Sequence, residues 1–317
     1  MTQSTNTTTK GSDRQHTDSQ HPLLTVFTCT YNRAHTLGRV YESLCRQTCR
    51  DFCWLVIDDG STDGTRALVE GWMAEGKIDI KYIYKSNGGL HTGYNTAYAN
   101  IDTELNVCID SDDWMPDDAV QIIRDTWASR GSGDVAGIVG LDYDSRSGAP
   151  LGGPFPEGME QTHRLDLYIR NIHRADHKVV HRSDLTRRFA PMTGFDGERF
   201  FNPNYIAMQI DDLLPCIVVN RNLCWVEYQD SDSMSRAIFR QYVDSPRSFS
   251  KTRVLEMTHS RTTLLNNCRL AVHYVATSLL ASDKSFISRS PRKLLTLAAV
   301  PLGICLYFYI KYRASRQ

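Results

Sequence analysis

The chain has 317 residues, enough to bury a large core, and length alone suggests about two domains as a prior. Its 36 basic and 36 acidic side chains cancel, so no global field advertises a nucleic-acid partner, and at 41% hydrophobic the composition is that of an ordinary globular protein. The nine cysteines are an odd number scattered through apolar segments, which fits a reducing compartment where cysteine packs as a small hydrophobe. Cys45, Cys49 and Cys53 are spaced four apart, but no matching His or Cys set follows at zinc-site spacing.

Residues 1–21 are polar, rich in Thr, Ser and Gln, with no apolar run; they read as a disordered tail rather than a secretory signal. That reading keeps the remainder in the cytoplasm. From Leu23 the pattern changes. Leu23 to Thr30 is an apolar, β-branched run expected to be a buried strand. Leu37, Val40, Tyr41 and Leu44 recur at helical spacing, ending near Gln47. Trp54 to Ile57 is a second strand, stopped by Asp58, Asp59 and Gly60. Asp63 and Gly64 open a helix with Leu68 and Trp72 on one face, and Ser61, Thr62 or Asp63 suits its N-cap. Ile78 to Tyr84 alternates as a strand, His91 to Ala99 reads as a helix, and Leu105 to Ile109 is a further strand. Pro116 then begins a helix, as proline in a first turn should.

Beyond these, strands are expected at Val135 to Tyr143, Lys178 to His181 and Ile217 to Val219, and one helix over residues 251–281. Leu294 to Ile310 carries no charge, contains Pro301 and Gly303, and is flanked by Arg289, Arg292 and Lys293 on one side and Lys311, Arg313 and Arg316 on the other. A full span needs about 20 apolar residues, so the spacing favours an interfacial or re-entrant hairpin on anionic lipid over a simple span, with a buried core helix as the alternative.

Strands alternating with helices imply a mostly parallel α/β sheet covered on both faces, with ligands beyond the C-terminal strand ends. Polar clusters close three successive strands: Thr28 to Asn32, Asp58 to Ser61, and Asp110 to Asp113. Asp110, Asp112 and Asp113 repel one another unless a cation relieves them, and a hard divalent ion can do so while bridging to a diphosphate. Asp58 and Asp59 are not needed for capping, and one could accept a hydrogen bond from a nucleobase. The turn at Asn87, Gly88 and Gly89, entering a helix with His91, could lie near a diphosphate or sugar.

These motifs also carry a resemblance. Thr28-Cys-Thr-Tyr-Asn-Arg, Ser43-Leu-Cys-Arg-Gln-Thr, Val56-Ile-Asp-Asp-Gly-Ser-Thr-Asp-Gly-Thr, Asn87-Gly-Gly and Ile109-Asp-Ser-Asp-Asp, in that order, resemble the start of a family 2 glycosyltransferase. The likeness is strong over residues 23–120 and continues weakly to about residue 235, through Phe200-Phe-Asn-Pro-Asn-Tyr and Val226-Glu-Tyr. It implies a GT-A fold, a UDP-sugar or similar donor, Mn2+ or Mg2+, and inversion at the anomeric carbon. By position it implies that Asp59 contacts the base, that Thr30 and Tyr31 line the nucleotide pocket with Asn87, Gly88, His91 and Asp110, and that Asp110, Asp112 and Asp113 form the metal site. Relatives carry an acidic base where this chain has Asn204. An amide cannot deprotonate an acceptor, so Glu198 is the expected substitute, with Asp196 as the alternative and Asp211 and Asp212 as outsiders.

No Gln-X-X-Arg-Trp motif occurs, so addition of one sugar is the better reading than polymerisation. The tail resembles that of bacterial enzymes building cell-surface polysaccharide on a lipid carrier, which implies a glycan or lipid-linked acceptor at the inner face of the membrane and peripheral or monotopic attachment there. The expected organisation is a tail (1–21), a GT-A domain (22–235, with a nucleotide-sugar half to 120 and an acceptor half from 121), a helical extension (236–290) and an apolar, basic-flanked segment (291–317). Two other readings remain. A non-catalytic nucleotide-sugar-binding subunit would explain Asn204. A nucleotidyltransferase is disfavoured because no glycine-rich, basic triphosphate loop opens the chain.

Overall fold

A computed structural model describes residues 22–227 and 238–316. The tail expected over 1–21, and the expected domain boundary near 235, lie outside the described residues. The first half alternates β1 (Leu24–Thr30), α1 (Ala34–Cys45), β2 (Phe52–Asp58), α2 (Thr65–Glu75), β3 (Ile80–Tyr84), α3 (Leu90–Asn100), β4 (Leu105–Cys108) and α4 (Ala119–Arg130). The second half adds β5 (Gly137–Asp144), β6 (Gln161–Thr162), α5 (Arg164–Ile169), β7 (His177–Arg182), α6 (Ser183–Phe189), α7 (Asn204–Leu213) and β8 (Cys216–Val226).

All eight strands form one sheet in the order β3-β2-β1-β4-β7-β5-β8-β6. The first four run parallel. β7 then enters antiparallel to both β4 and β5, while β5 and β8 are parallel again. The continuous apolar run of β1 is what a strand covered on both faces requires. Val26 packs into a core with Leu37, Val40, Val69, Trp72 and Ile123, from α1, α2 and α4. Its neighbour Phe27 faces the other way, towards Tyr98, Leu185 and Ile206, from α3, α6 and α7. The result is the three-layered GT-A-like arrangement that the alternation of elements anticipates.

Capping falls to Asp63. Its Oδ1 accepts from the Thr65 amide at 3.0 Å and its Oδ2 from the Ala34 amide at 3.1 Å, so one carboxylate serves the first turns of both α2 and α1. Ser61 and Thr62 instead meet Asn32. The Asn32 amide donates to Ser61 Oγ at 2.9 Å, and the Thr62 amide donates to Asn32 Oδ1 at 2.8 Å.

The C-terminal part is helical: α8 (Ile238–Asp244), α9 (Pro246–Thr258), α10 (Leu264–Leu280), α11 (Phe286–Arg289) and α12 (Lys293–Ala314). Two expectations need correction. The single helix over 251–281 is two helices, broken after His259, where the Thr263 side chain caps α10 by accepting from the Asn266 amide at 3.2 Å. The hairpin expected around Pro301 is a continuous helix of 22 residues, about 33 Å at the usual rise. Proline removes one hydrogen bond, but packing along α10 holds the helix through it.

That packing depends on Gly303. A Cβ built there would lie 2.4 Å from Val275 Cγ1 and 3.2 Å from the Val272 carbonyl, so the two helices approach as closely as only glycine allows. Gly303→Leu is expected to pry α12 from α10 and cost about 1–3 kcal/mol, read as a lower thermal midpoint. The opposite side of α12 is bare. Leu294, Leu302 and Phe308 are 86%, 64% and 64% exposed, so the buried-core-helix alternative does not hold. By length and composition α12 is the one helix among the described residues able to cross a membrane.

Candidate active site

Because β1, β2 and β4 are parallel, their polar C-terminal ends open on one edge of the sheet. There they form one wall of a cleft of about 660 Å3. Thr30, Tyr31, Asp59, Asn87, Asp110, Asp112 and Asp113 all line it. The facing wall comes from the second half of the chain, with Asp142, Arg164, Asp176, His177, Lys178 and Asn204. Thr30 Oγ1 is buried and has no hydrogen-bond partner among the described residues, which suits a wall that receives a polar ligand.

The acidic turn after β2 is a piece of engineering in its own right. Asp58, fully buried, accepts from the Ser61 amide at 2.7 Å and from the Tyr82 hydroxyl at 2.6 Å, which folds the turn back on β2. Gly60 follows at φ +87°, and a Cβ there would sit 2.7 Å from the Asn87 nitrogen. The loop carrying Asn87 can therefore close over the turn. Asp59 secures it. Its Oδ1 accepts from the Gly88 amide at 3.0 Å and from Lys85 Nζ, and its Oδ2 from the Gly89 amide at 2.9 Å. Asn87 Nδ2 donates to the Asp59 carbonyl at 2.9 Å. So Asp59, Asn87 and Gly88 are brought together as one assembly, with the Asp59 carboxylate occupied by the chain itself. His91 is separate from the cleft lining. Its ring is buried against Gly194 and Phe201, and burial lowers its pKa, so it stays neutral.

Asp110 and Asp112 face the cleft from the turn after β4, and neither carboxylate is ion-paired among the described residues. Asp113, grouped with them from sequence, also lines the cleft but is buried beside Lys178. Its Oδ2 lies 3.8 Å from Lys178 Nζ, and Asp142 Oδ1 lies 4.0 Å from the same nitrogen. Burial, reinforced by the surrounding carboxylates, pushes Asp113 up to about 8, and burial raises Asp142 to about 6, each against the pull of Lys178. Burial alone would lower Lys178, but Asp142 and its other anionic neighbours outweigh it and hold the ammonium charged. One cation thus stands between two buried carboxylates. Lys178→Met would strand both acids, and a loss of about 3–5 kcal/mol is expected, a fall in thermal midpoint on the order of 10 °C. Adding Asp142→Asn should restore part of it.

The turn itself is braced from outside. Trp114 pairs with Trp225 across two backbone hydrogen bonds of 3.1 and 2.7 Å. Arg39 stacks 4.9 Å over the Trp114 ring, donates to the Asp112 carbonyl at 3.3 Å and pairs with Glu227.

The expected bases lie elsewhere. Glu198 Oε1 accepts from the Arg247 amide at 2.9 Å and Oε2 from the Ser248 amide at 2.8 Å, so it caps the first turn of α9 and also pairs with Arg247 Nε at 3.0 Å. A helix start offers bare amides, and a buried carboxylate satisfies them better than it serves solvent chemistry. Neither Glu198 nor Asp196 lines the cleft; the Asp196 carbonyl accepts from Arg247 Nη2 at 2.5 Å. Asp211 likewise caps α5, accepting from the amides of Arg164 at 2.5 Å and Leu165 at 3.0 Å, and Asp212 accepts from the Ser260 amide at 2.7 Å. Asp176, Arg164 and Lys178 were not legible as site residues: Arg164 opens α5, Asp176 and Lys178 stand at the start of β7, and nothing local to them shows that the fold carries them to the strand ends of the first half.

Among the described residues no three His, Cys, Asp or Glu side chains converge to hold an ion alone. Two unpaired carboxylates on one turn are nonetheless the sparse donor set that Mg2+ or Mn2+ uses when substrate phosphates complete its shell.

An uncharacterized glycosyltransferase of Nostoc sp. is 30% identical over 117 residues, covering 37% of this chain and 35% of that one. The validoxylamine A glucosyltransferase of Streptomyces hygroscopicus is 43% identical over 83 residues, 26% of this chain and 18% of that one. The chain therefore matches about a third or less of the length of these relatives. Residues 1–349 of TarS from S. aureus superpose with a TM-score of 0.58 at 15% identity, covering 92% of this chain and 87% of that one. The same TarS fragment has also been solved with UDP-GlcNAc. The model of glycosyl transferase family 2 matches residues 25–186, just over half of the chain, and with the GT-A-like sheet this makes the protein a member of the family 2 glycosyltransferases.

Proposed function

We propose that the protein is an inverting glycosyltransferase that moves one sugar from a nucleotide-sugar, with UDP favoured, to a hydroxyl of a glycan or lipid-linked acceptor. The single observation that carries this reading is the cleft with two unpaired carboxylates, Asp110 and Asp112, at the strand ends beside the Thr30 hydroxyl. Asp110 and Asp112 would hold Mn2+ or Mg2+, which when bound offsets the charge on the departing nucleoside diphosphate. Thr30, Tyr31 and the Asp59-braced turn receive the nucleoside. The clamp of Lys178 on Asp113 and Asp142 keeps the acidic turn in place without competing for the donor.

Deprotonation of the acceptor falls to Asp176 rather than to Glu198 or Asp196. Asp176 lines the cleft together with Asp110 and Asp112, where an acceptor hydroxyl would meet the donor. The bare face of α12, with basic residues at both ends, would rest on the inner leaflet and bring a membrane-held acceptor to the cleft.

The test is nucleoside-diphosphate release from a panel of UDP-, GDP- and dTDP-sugars with Mn2+, using purified protein and bacterial membranes. Metal-dependent release from one donor is the expected result. Metal-dependent nucleotide binding without release from any donor would favour the non-catalytic subunit instead.

A further inference from the structure

Arg164 is an arginine held in place with nothing for its fork to grip. Its backbone amide is fixed by the Asp211 carboxylate. Its Nε donates to His177 Nε2 at 3.2 Å. His177 is itself oriented, its Nδ1 lying 3.3 Å from the Ala175 carbonyl, so the ring carries its proton on Nδ1 and accepts on Nε2. Burial, and then the guanidinium itself, push His177 down to about 3, so it remains a neutral acceptor and supplies no counter-charge. Nη1 and Nη2 of Arg164 meet no hydrogen-bond partner among the described residues.

The place is as informative as the side chain. Arg164 lines the main cleft and also an adjoining pocket of about 130 Å3 that shares Asp110 with it. That volume is several times the ~30 Å3 share of one water. Lys178, Asn106 and Asn204 also line it, with aromatic surface from Tyr94 and Tyr98. A preorganised guanidinium with two free edges is suited to a planar or tetrahedral oxyanion, bound bidentately.

We propose that Arg164, oriented by His177, binds an oxyanionic group of the donor where the cleft meets the adjoining pocket. The group is either the carboxylate of an acidic sugar or the diphosphate that links sugar to nucleoside. The proposal rests on the donor reading of the cleft given above.

The test is calorimetric titration of the full chain with UDP, GDP, UDP-glucose and UDP-glucuronic acid in Mn2+, comparing wild type with Arg164→Met. A charge-assisted pair is worth roughly 10- to 100-fold in affinity. Tighter binding of UDP-glucuronic acid than UDP-glucose, erased by the substitution, assigns Arg164 to a sugar carboxylate. A loss of that size for all UDP ligands alike assigns it to the diphosphate. Unchanged affinities for every ligand, in a protein that still binds nucleotide, overturn this proposal alone. Failure of the wild type to bind either UDP or GDP removes the donor reading and this proposal with it. Should Arg164→Met lose its fold, Arg164→Lys, which keeps the charge but not the fork, carries the same comparison with a smaller loss.

Discussion

Asp112→Ala is expected to reduce metal-dependent nucleoside-diphosphate release by at least about 10^3-fold, roughly 4 kcal/mol of transition-state stabilisation. The size follows from what the carboxylate is asked to do. The donor's diphosphate gathers charge as the sugar departs, and the cleft wall at this point is already acidic. Without one of two ligands, the turn holds a divalent ion poorly, and Lys178 is committed to Asp113 and Asp142 rather than free to stand in for the ion. The fold should not suffer. The side chain of Asp112 makes no hydrogen bond among the described residues, and the contact that matters, its carbonyl accepting from Arg39 at 3.3 Å, survives in alanine. Kinetics should therefore collapse while the thermal midpoint stays within a degree or two. Full activity in this variant would sink the metal role.

The second large effect is a contrast between two acids. Asp176→Asn should lower kcat by about 10^2- to 10^4-fold, the usual contribution of a positioned general base, with nucleotide affinity nearly intact. Glu198→Gln should leave kcat within about twofold and instead cost about 1 kcal/mol of stability, because it weakens the cap on α9 and the pair with Arg247. Paired steady-state kinetics and thermal melts separate the two roles cleanly. If Glu198→Gln were the dead enzyme and Asp176→Asn the active one, the assignment of the base would have to be reversed.

The same contrast marks how far the sequence could be read. The first four strands were legible almost to the residue, because a buried parallel strand is a continuous apolar run that ends abruptly in polar turn residues. Leu24–Thr30 and Leu105–Cys108 follow that rule. This wall of the cleft was legible for the same reason: Asp59, Asp110 and Asp112 sit at those ends. What escaped was whatever depends on a distant partner. Nothing local to Lys178 says that β7 enters antiparallel between β4 and β5, yet that insertion delivers the ammonium to Asp113 and Asp142. Glu198 looked available because the donors it accepts from, the amides of Arg247 and Ser248, lie some fifty residues on. The helix break near His259 was hidden by an apolar pattern that runs on into α10. Pro301 suggested a bend, and only the contact of Gly303 with Val275 explains why the helix continues.

The way Asp59 is used has a consequence for genetics. Its two oxygens tie the turn after β2 to the loop at Gly88 and Gly89, so this end of the cleft is a single stapled unit rather than two neighbouring loops. An Asp59 substitution would therefore abolish donor binding even if that carboxylate never touched a nucleobase. The phenotype would be loss of a wall, not loss of a contact, and it should be mimicked by Lys85→Met, which removes another strand of the same knot. Two separate loss-of-function substitutions, at positions 59 and 85, would then report one mechanical defect.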